Sequence, residues 1–168
     1  MLIIVALETN SKEGSDYFYF KSIVNYFYKE RGVGISIKPV FMNGKGNYNK
    51  IENKIRNFVK QYDGKSQVIY FCDIDSSDLN FNQKQMNEEI NNYCKEKEYE
   101  IIWYNRTVEE VLIGNIVENN KTQIARNYFI KNEIQNIDIN KLSVKSFDLV
   151  TRKKSNVLYI LDKYLVKK

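Results

Sequence analysis

The chain has 168 residues, of which 43% are hydrophobic and 14% aromatic, and this composition fits one folded domain (1–168) with a substantial core. It contains no histidine, which excludes Ser-His-Asp and Cys-His catalysis and histidine-bound zinc. Its two cysteines are too few for a disulfide framework or a four-cysteine zinc site. Any catalytic chemistry must therefore use carboxylates, lysines, tyrosines or a metal ion held by oxygen.

The net charge of +5 is concentrated in one segment. Residues 141–168 carry eight basic and two acidic side chains, a net charge of +6, and the rest of the chain has a net charge of −1. This distribution favours a polyanionic partner, and we expect nucleic-acid phosphates to contact Arg152, Lys153 and Lys154. The alternative is a solvated loop and a basic tail in a lysine-rich protein.

The apolar segments are all much shorter than the ~20 residues that cross a bilayer. The first apolar run leads directly into Glu8 and further polar residues, which is not the pattern of a secretory signal peptide. We therefore expect a cytoplasmic protein with reduced thiols and no membrane contact.

The first half of the chain alternates between strand and helix patterns. A continuous β-branched run predicts a buried strand over Leu2–Leu7. A helix is predicted to begin near Ser15, as its N-cap, and to end at Gly32. A second strand is predicted over 35–41, and because its Pro39 cannot donate to a sheet ladder, we place this strand at an edge.

The alternation continues beyond the second strand. The pattern predicts a helix over 51–59, a strand over 67–72, a helix over 80–97 and a strand over 100–104. From residue 107 onward we predict only helices and loops, ending in a helix over 156–164. The core then spans about 1–113, followed by a helical, basic C-terminal part over about 114–168.

Strands that alternate with helices predict an α/β fold with an open, mainly parallel sheet flanked by helices. With the second strand at an edge, the strand order becomes 2-1-3-4. The connections leave the first strand in opposite directions, so a topological switch point lies between strands one and three. Ligand sites of open α/β sheets lie at the carboxyl ends of the strands beside such a point.

Three carboxylates follow the two strands at the switch point. Glu8 follows the first strand, and Asp73 and Asp75 follow the third. In extended backbone, residues i and i+2 project to the same side, so both aspartates could face one cation. Converging carboxylates repel one another unless a hard cation joins them, which predicts Mg²⁺ or Mn²⁺. The alternative is that 75–78 only cap the next helix and that Glu8 is solvated.

The arrangement of Glu8, Asp73 and Asp75 resembles that of the TOPRIM domain of topoisomerases, primases and OLD-type nucleases. That domain has a glutamate after its first strand and Asp-x-Asp after its third. Two further segments, 105–113 and 155–161, resemble the corresponding segments of the RloB-like branch of that superfamily. The pair Tyr17-Phe18 also resembles a Tyr-Phe pair early in that branch's first helix. The resemblance spans nearly the whole chain in the same order.

The resemblance implies a Mg²⁺-dependent nuclease that cleaves phosphodiester bonds in DNA or RNA. It implies that Asp73 and Asp75 hold the metal ion and that Glu8 acts as a general acid or base or as a bridging ligand. Glu109 would add a carboxylate beyond the fourth strand. Glu13 is the competing first carboxylate, but it lies far beyond the strand end.

The family also implies a role in phage defence beside an ATPase partner. The alternative to a nuclease is a catalytically inactive module of the same fold that binds nucleic acid or a partner protein.

Overall fold

The computed structural model describes residues 1–29, 34–76, 80–145 and 152–168, and it has an α/β fold with helices on both faces of a mostly parallel sheet. The strands are β1 (Leu2–Leu7), β2 (Ser36–Phe41), β3 (Ser66–Asp73), β4 (Glu100–Asn105) and β5 (Lys154–Ser155). The helices are α1 (Ser15–Phe27), α2 (Glu52–Lys60), α3 (Phe81–Glu96), α4 (Val108–Leu112), α5 (Lys121–Ile130) and α6 (Val157–Leu161). The first four strands and the helices between them therefore agree with the predicted pattern.

The sheet has the order β2-β1-β3-β4-β5. β1 pairs in parallel with β2 and β3, and β3 pairs in parallel with β4. The predicted order 2-1-3-4 thus describes the parallel part, and the edge position predicted for β2 from Pro39 is confirmed. The prediction of only helices and loops after residue 107 was wrong, because β5 pairs antiparallel with β4. β5 has two residues, too few to produce a periodic pattern.

The core has one layer on each face of the sheet. Alternate residues of β1, such as Ile3 and Val5, pack against α1, α5 and α6, whereas Ile4 and Ala6 pack against α2 and α3. All six residues of β1 are buried. This burial on both faces explains why β1 is a continuous apolar run in the sequence.

Several helix ends differ from the predicted ones. Gly14, not Ser15, is the N-cap of α1, and a Cβ at Gly14 would lie 1.4 Å from Thr9 Oγ1, so this close approach requires glycine. α1 ends at Phe27, earlier than predicted, and Gly32 lies outside the described residues. α6 is also shorter than the predicted helix over 156–164.

In the parts of the chain that the structure describes, no helix combines the length and the apolar character needed to cross a membrane.

Asn156 joins the short strand β5 and helix α6 to β4. Its side-chain Oδ1 accepts a hydrogen bond from Trp103 N at 2.9 Å, and its Nδ2 donates to Ile101 O at 3.0 Å. The side chain thus continues, beyond the two residues of β5, the pairing that a longer strand would make.

Replacing Asn156 with alanine leaves a backbone donor and a backbone acceptor of β4 without these partners. We expect Asn156→Ala to lower the free energy of unfolding by about 1–3 kcal/mol, measured by chemical denaturation. The control is Asn92→Ala on the exposed face of α3, which should change stability by less than about 0.5 kcal/mol. Equal stability of the two variants would contradict this role of Asn156.

Candidate functional site

Three carboxylates meet at the carboxyl ends of β1 and β3. Glu8 follows β1, Asp73 is the last residue of β3, and Asp16 lies in the first turn of α1. They line a small cavity of about 10 Å³, enough for about one water molecule. The other lining residues are Leu7, Phe71, Tyr104 and Val108. The structure therefore brings the predicted Glu8 and Asp73 together at the switch point.

Backbone hydrogen bonds fix these two predicted carboxylates. Asp73 N donates to Glu8 Oε1 at 2.7 Å, and Val108 N donates to Asp73 Oδ1 at 2.9 Å. Within the described residues, the second oxygen of each carboxylate accepts no hydrogen bond. One oxygen of Glu8 and one of Asp73 are thus held in place by backbone N–H groups.

Asp16 differs from these two carboxylates, because both of its oxygens are engaged. Thr9 N donates to Oδ2 at 2.9 Å, and Ser15 Oγ donates to Oδ1 at 3.1 Å. Asp16 therefore adds negative charge to the cavity without an open oxygen.

Burial makes these carboxylates hard to ionise. It raises the pKa of Glu8 to about 8, although the hydrogen bond from Asp73 N and the charge of Lys45 act in the opposite direction. Burial, and then repulsion from Glu8 and Asp16, raises the pKa of Asp73 well above its usual range. The pKa of Asp16 is also raised, chiefly by burial. The hydrogen bonds and positive charges around the cavity are thus too few to offset the burial of its three carboxylates.

Asp75 does not project as an extended backbone would place it. β3 ends at Asp73, and Asp75 has a left-handed φ of 57°, so the assumed i, i+2 alternation is not present. Lys45 Nζ donates to Asp75 Oδ2 at 2.5 Å, to Asp73 O at 2.8 Å and to Asn87 Oδ1 at 3.0 Å. Asp75 is therefore paired with a buried lysine, and its sharing of a metal ion with Asp73 stays a prediction.

The N-cap of α3 is not one of the residues 75–78 that the alternative interpretation proposed. Its N-cap is Asn80, whose side chain accepts hydrogen bonds from Asn82 N and Gln83 N. Ser77 and Asp78 lie outside the described residues.

Glu109 lies at the border of the acid cluster. It is part of α4, only 2% exposed, and its Oε2 is 3.9 Å from Lys121 Nζ. Burial raises its pKa, and its charge contributes to raising the pKa of Asp73. Its predicted catalytic role stays a prediction. Glu13, the competing first carboxylate, is exposed and does not line the cavity.

In the described part of the chain, the hydroxyls of Tyr19, next to this cluster, and of Tyr128, whose ring contacts Tyr19 at a centroid distance of 5.5 Å, are buried without a hydrogen-bond partner. Burial raises the pKa of Tyr19, and the charges of Glu109 and Asp16 raise it further. A buried hydroxyl without a partner beside acidic groups marks a place where a water molecule or ligand would be stabilised.

The basic residues predicted to bind phosphate have contacts within the protein. Arg152 Nη2 lies 4.0 Å from Glu110 Oε2, and Lys153 Nζ donates to Gly114 O at 2.6 Å. Lys154 belongs to β5. Because Arg152 and Lys153 are exposed, their binding of phosphate stays a prediction.

Sequence reasoning did not assign Asp16 or Lys45 to the site. Lys45 stands between two glycines, a composition typical of a turn, yet its loop follows β2 at the same carboxyl edge as Glu8 and Asp73. Asp16 lies in the first turn of α1, two residues after its N-cap Gly14, a position that by itself indicates only a favourable helix-dipole contact. The position after a parallel strand was the available signal for Lys45.

Within 1–29, 34–76, 80–145 and 152–168, no three histidine, cysteine, aspartate or glutamate side chains are grouped as a ready metal site. Comparison with models of protein families, with curated proteins and with solved structures finds no significant match to the chain.

Replacing Lys45 with methionine removes the donor that three oxygens share. We expect Lys45→Met to lower the free energy of unfolding by about 1–3 kcal/mol, because buried acceptors lose their partner while the partly exposed Asp75 regains some water. The matched control is Lys50→Met, which is exposed in the same loop and should be nearly neutral. Thermal and chemical denaturation in EDTA test this, and equal stability of the two variants would contradict it.

The raised pKa of Glu8 predicts a pH-dependent stability. Between the ordinary value of 4.5 and about 8, the folded protein keeps a proton that the unfolded chain has released. Stability in EDTA should therefore fall as the pH rises through this window, by up to about 1.4 kcal/mol per pH unit for this one proton, and the contribution should level off above pH 8.

Glu8→Gln should reduce this slope between pH 5 and 8, because glutamine carries no proton to release. Glu13→Gln, at an exposed position, is the control and should leave the slope as in the unmodified protein. Unfolding curves at several pH values measure it, and identical slopes for all three proteins would contradict the assignment.

Proposed function

We propose that this protein is a divalent-metal-dependent nuclease that cleaves phosphodiester bonds of nucleic acid. One observation carries the proposal: Glu8 and Asp73 each direct a backbone-anchored carboxylate to a common cavity at the switch point of the sheet. Such a position is where open α/β folds bind their ligands.

The residues at the cavity fit Mg²⁺ or Mn²⁺. Mg²⁺ prefers oxygen ligands and commonly uses only one or two carboxylates of a protein, and the several waters that it keeps would require a wider opening than the present cavity of about 10 Å³. Glu8 Oε2 and Asp73 Oδ2 would be these ligands, and Asp16 would add charge behind them. Asp75 remains a proposed ligand, but it would have to exchange its contact with Lys45 for the metal ion. Two carboxylates suffice for such a site, so three grouped acids are not required.

The proposed roles of the side chains follow from their surroundings. A bound Mg²⁺ would neutralise phosphate charge and lower the pKa of a water molecule. In the metal-free protein the pKa of Glu8 is about 8, which suits a general acid or base, whereas as a ligand of the ion Glu8 would be ionised and would act as a bridging carboxylate instead. Val108 N holds Asp73 in position, and Lys45 brings a fixed positive charge to the edge of the site.

The TOPRIM resemblance supports the same reaction class, because its glutamate and Asp-x-Asp fall on residues at this edge of the sheet. The segments that resemble the RloB-like branch correspond to the end of β4 with α4 and to β5 with α6. A role in phage defence beside an ATPase partner is proposed from this resemblance alone.

A second candidate function is a binding module that does not cleave. It is favoured by the pairing of Lys45 with Asp75 and by the raised pKa of Glu8, Asp16 and Asp73, because protonated acids and one lysine can satisfy the site without a metal ion. Such a module would bind nucleic acid or a partner protein through its other surfaces.

Calorimetric titration with Mn²⁺ tests the metal site. We expect Glu8→Gln and Asp73→Asn each to weaken binding at least tenfold, which corresponds to about 1.4 kcal/mol, because each removes one of two anionic ligands. Glu13→Gln should bind as the unmodified protein does. Unchanged affinity in both site variants would end the metal-dependent proposal.

A cleavage assay then separates the two candidate functions. End-labelled single-stranded DNA, double-stranded DNA and RNA are incubated with protein in Mg²⁺ or in EDTA. A nuclease should cleave at least one of them only in Mg²⁺, and Asp73→Asn should abolish cleavage while Glu13→Gln retains it. Metal binding without cleavage of any substrate would favour the binding module, and cleavage in EDTA would contradict the proposed mechanism.

A further inference from the structure

A second cavity lies at the opposite end of the sheet from the acid cluster. It is a cleft of about 440 Å³ between the C-terminal half of α2, the first residues of β3 and the turn that joins α3 to β4. Small-molecule sites in proteins commonly have volumes of about 300–1,000 Å³. The cleft thus has the size of a small-molecule site, and the proposed nuclease reaction does not use it.

The rim of this cleft is positively charged. Among the described residues, Arg56, Lys60, Lys97 and the acidic Glu98 line it, and with the charged Glu52 behind the cleft these five side chains have a net charge of +1. Lys60 has no ion-pair partner within the described residues, and Arg56 is largely exposed. A concave surface with this excess of positive charge attracts anionic ligands.

Glu52, behind the cleft, holds two of these cations in place. Its Oε1 accepts from Arg56 Nε at 3.0 Å and lies 3.9 Å from Lys97 Nζ, while Tyr93 and Tyr99 donate their hydroxyls to its Oε2 at 2.7 and 3.2 Å. Burial raises the pKa of Glu52, but these bonds outweigh burial and lower it, so Glu52 stays charged. Anchoring through Nε leaves the two amino groups of Arg56 available for the paired hydrogen bonds that a phosphate accepts.

The interior of the cleft is apolar and aromatic. Ile55 and Val68 are buried beneath it, and Val59 contributes a partly exposed methyl surface. The ring of Tyr99 also lines the cleft and is stacked on Tyr70 with a centroid distance of 6.0 Å, so its orientation is fixed. This interior favours a ligand that carries a planar or apolar body beside its charged group.

We propose that this cleft is a binding site for a nucleoside phosphate, with the phosphate on Arg56 and Lys60 and the nucleoside over Val59 and Tyr99. The phosphate can belong to a free nucleotide or to the 5′ end of a nucleic-acid strand, since both present the same chemical group. The site is independent of the acid cluster, because it lies at the amino ends of β3 and β4 and needs no metal ion.

Calorimetry with ADP, inorganic pyrophosphate and a 5′-phosphorylated dinucleotide, all in EDTA, tests this site. We expect ADP to bind and Arg56→Gln and Lys60→Gln each to weaken its binding at least fivefold. The matched control is Lys54→Gln, which removes the same charge from an exposed position of α2 outside the cleft and should change affinity by less than twofold. Since Lys60 has no ion-pair partner among the described residues, Lys60→Gln retains the fold even if Arg56→Gln is destabilised.

Tighter binding of the dinucleotide than of ADP would support the site and identify a strand end as its source. Tighter binding of ADP would support it with a free nucleotide. No binding of either, equal weakening by Lys54→Gln, or pyrophosphate binding as tightly as ADP would overturn the proposal. EDTA removes any contribution of the metal site, so failure here leaves the nuclease proposal untouched.

Discussion

The burial of negative charge at the carboxyl ends of β1 and β3 is the constraint on which the site depends. Carboxylates in such surroundings either take up protons, pair with a cation or bind a metal ion, since their isolated charge is costly away from water. This protein already uses the first two solutions, because the pKa of Glu8 and Asp73 is raised and Lys45 pairs with Asp75. A divalent ion would compete with protons for Glu8 and Asp73, so metal affinity and pH must be linked.

The two ends of β3 have opposite electrostatic character. The carboxyl end carries buried acids, and the amino end carries a cleft with three basic side chains on its rim. A phosphate-bearing ligand is attracted to the basic end without assistance, whereas the acidic end repels it unless a cation is present. In the proposed functions, this electrostatic difference would separate phosphate binding at the amino end of β3 from metal-dependent chemistry at its carboxyl end.

The parallel part of the fold could be predicted because each of its elements has a strong local pattern. The buried run of β1 and Pro39 of β2 specified the centre and the edge of the sheet, and these gave the strand order. β5 could not be predicted, because its two residues are defined by pairing with β4 and by the side chain of Asn156. The acids at the carboxyl ends of β1 and β3 could be located from the sequence, but the direction of the Asp75 side chain could not. The left-handed φ of Asp75 is a tertiary outcome that spacing alone does not determine.

Lys45 also has a consequence for how the protein folds. Its three acceptors, from Asp73, Asp75 and Asn87, lie 28, 30 and 42 residues further along the chain. Contacts across such separations form slowly, because the intervening loops must close first. The lysine reaches its three oxygens only when β2, β3 and α3 are assembled, so we expect this network to form late in folding. A chain whose sheet is paired but whose Lys45 loop is still free would have a native-like sheet without the Lys45–Asp75 ion pair.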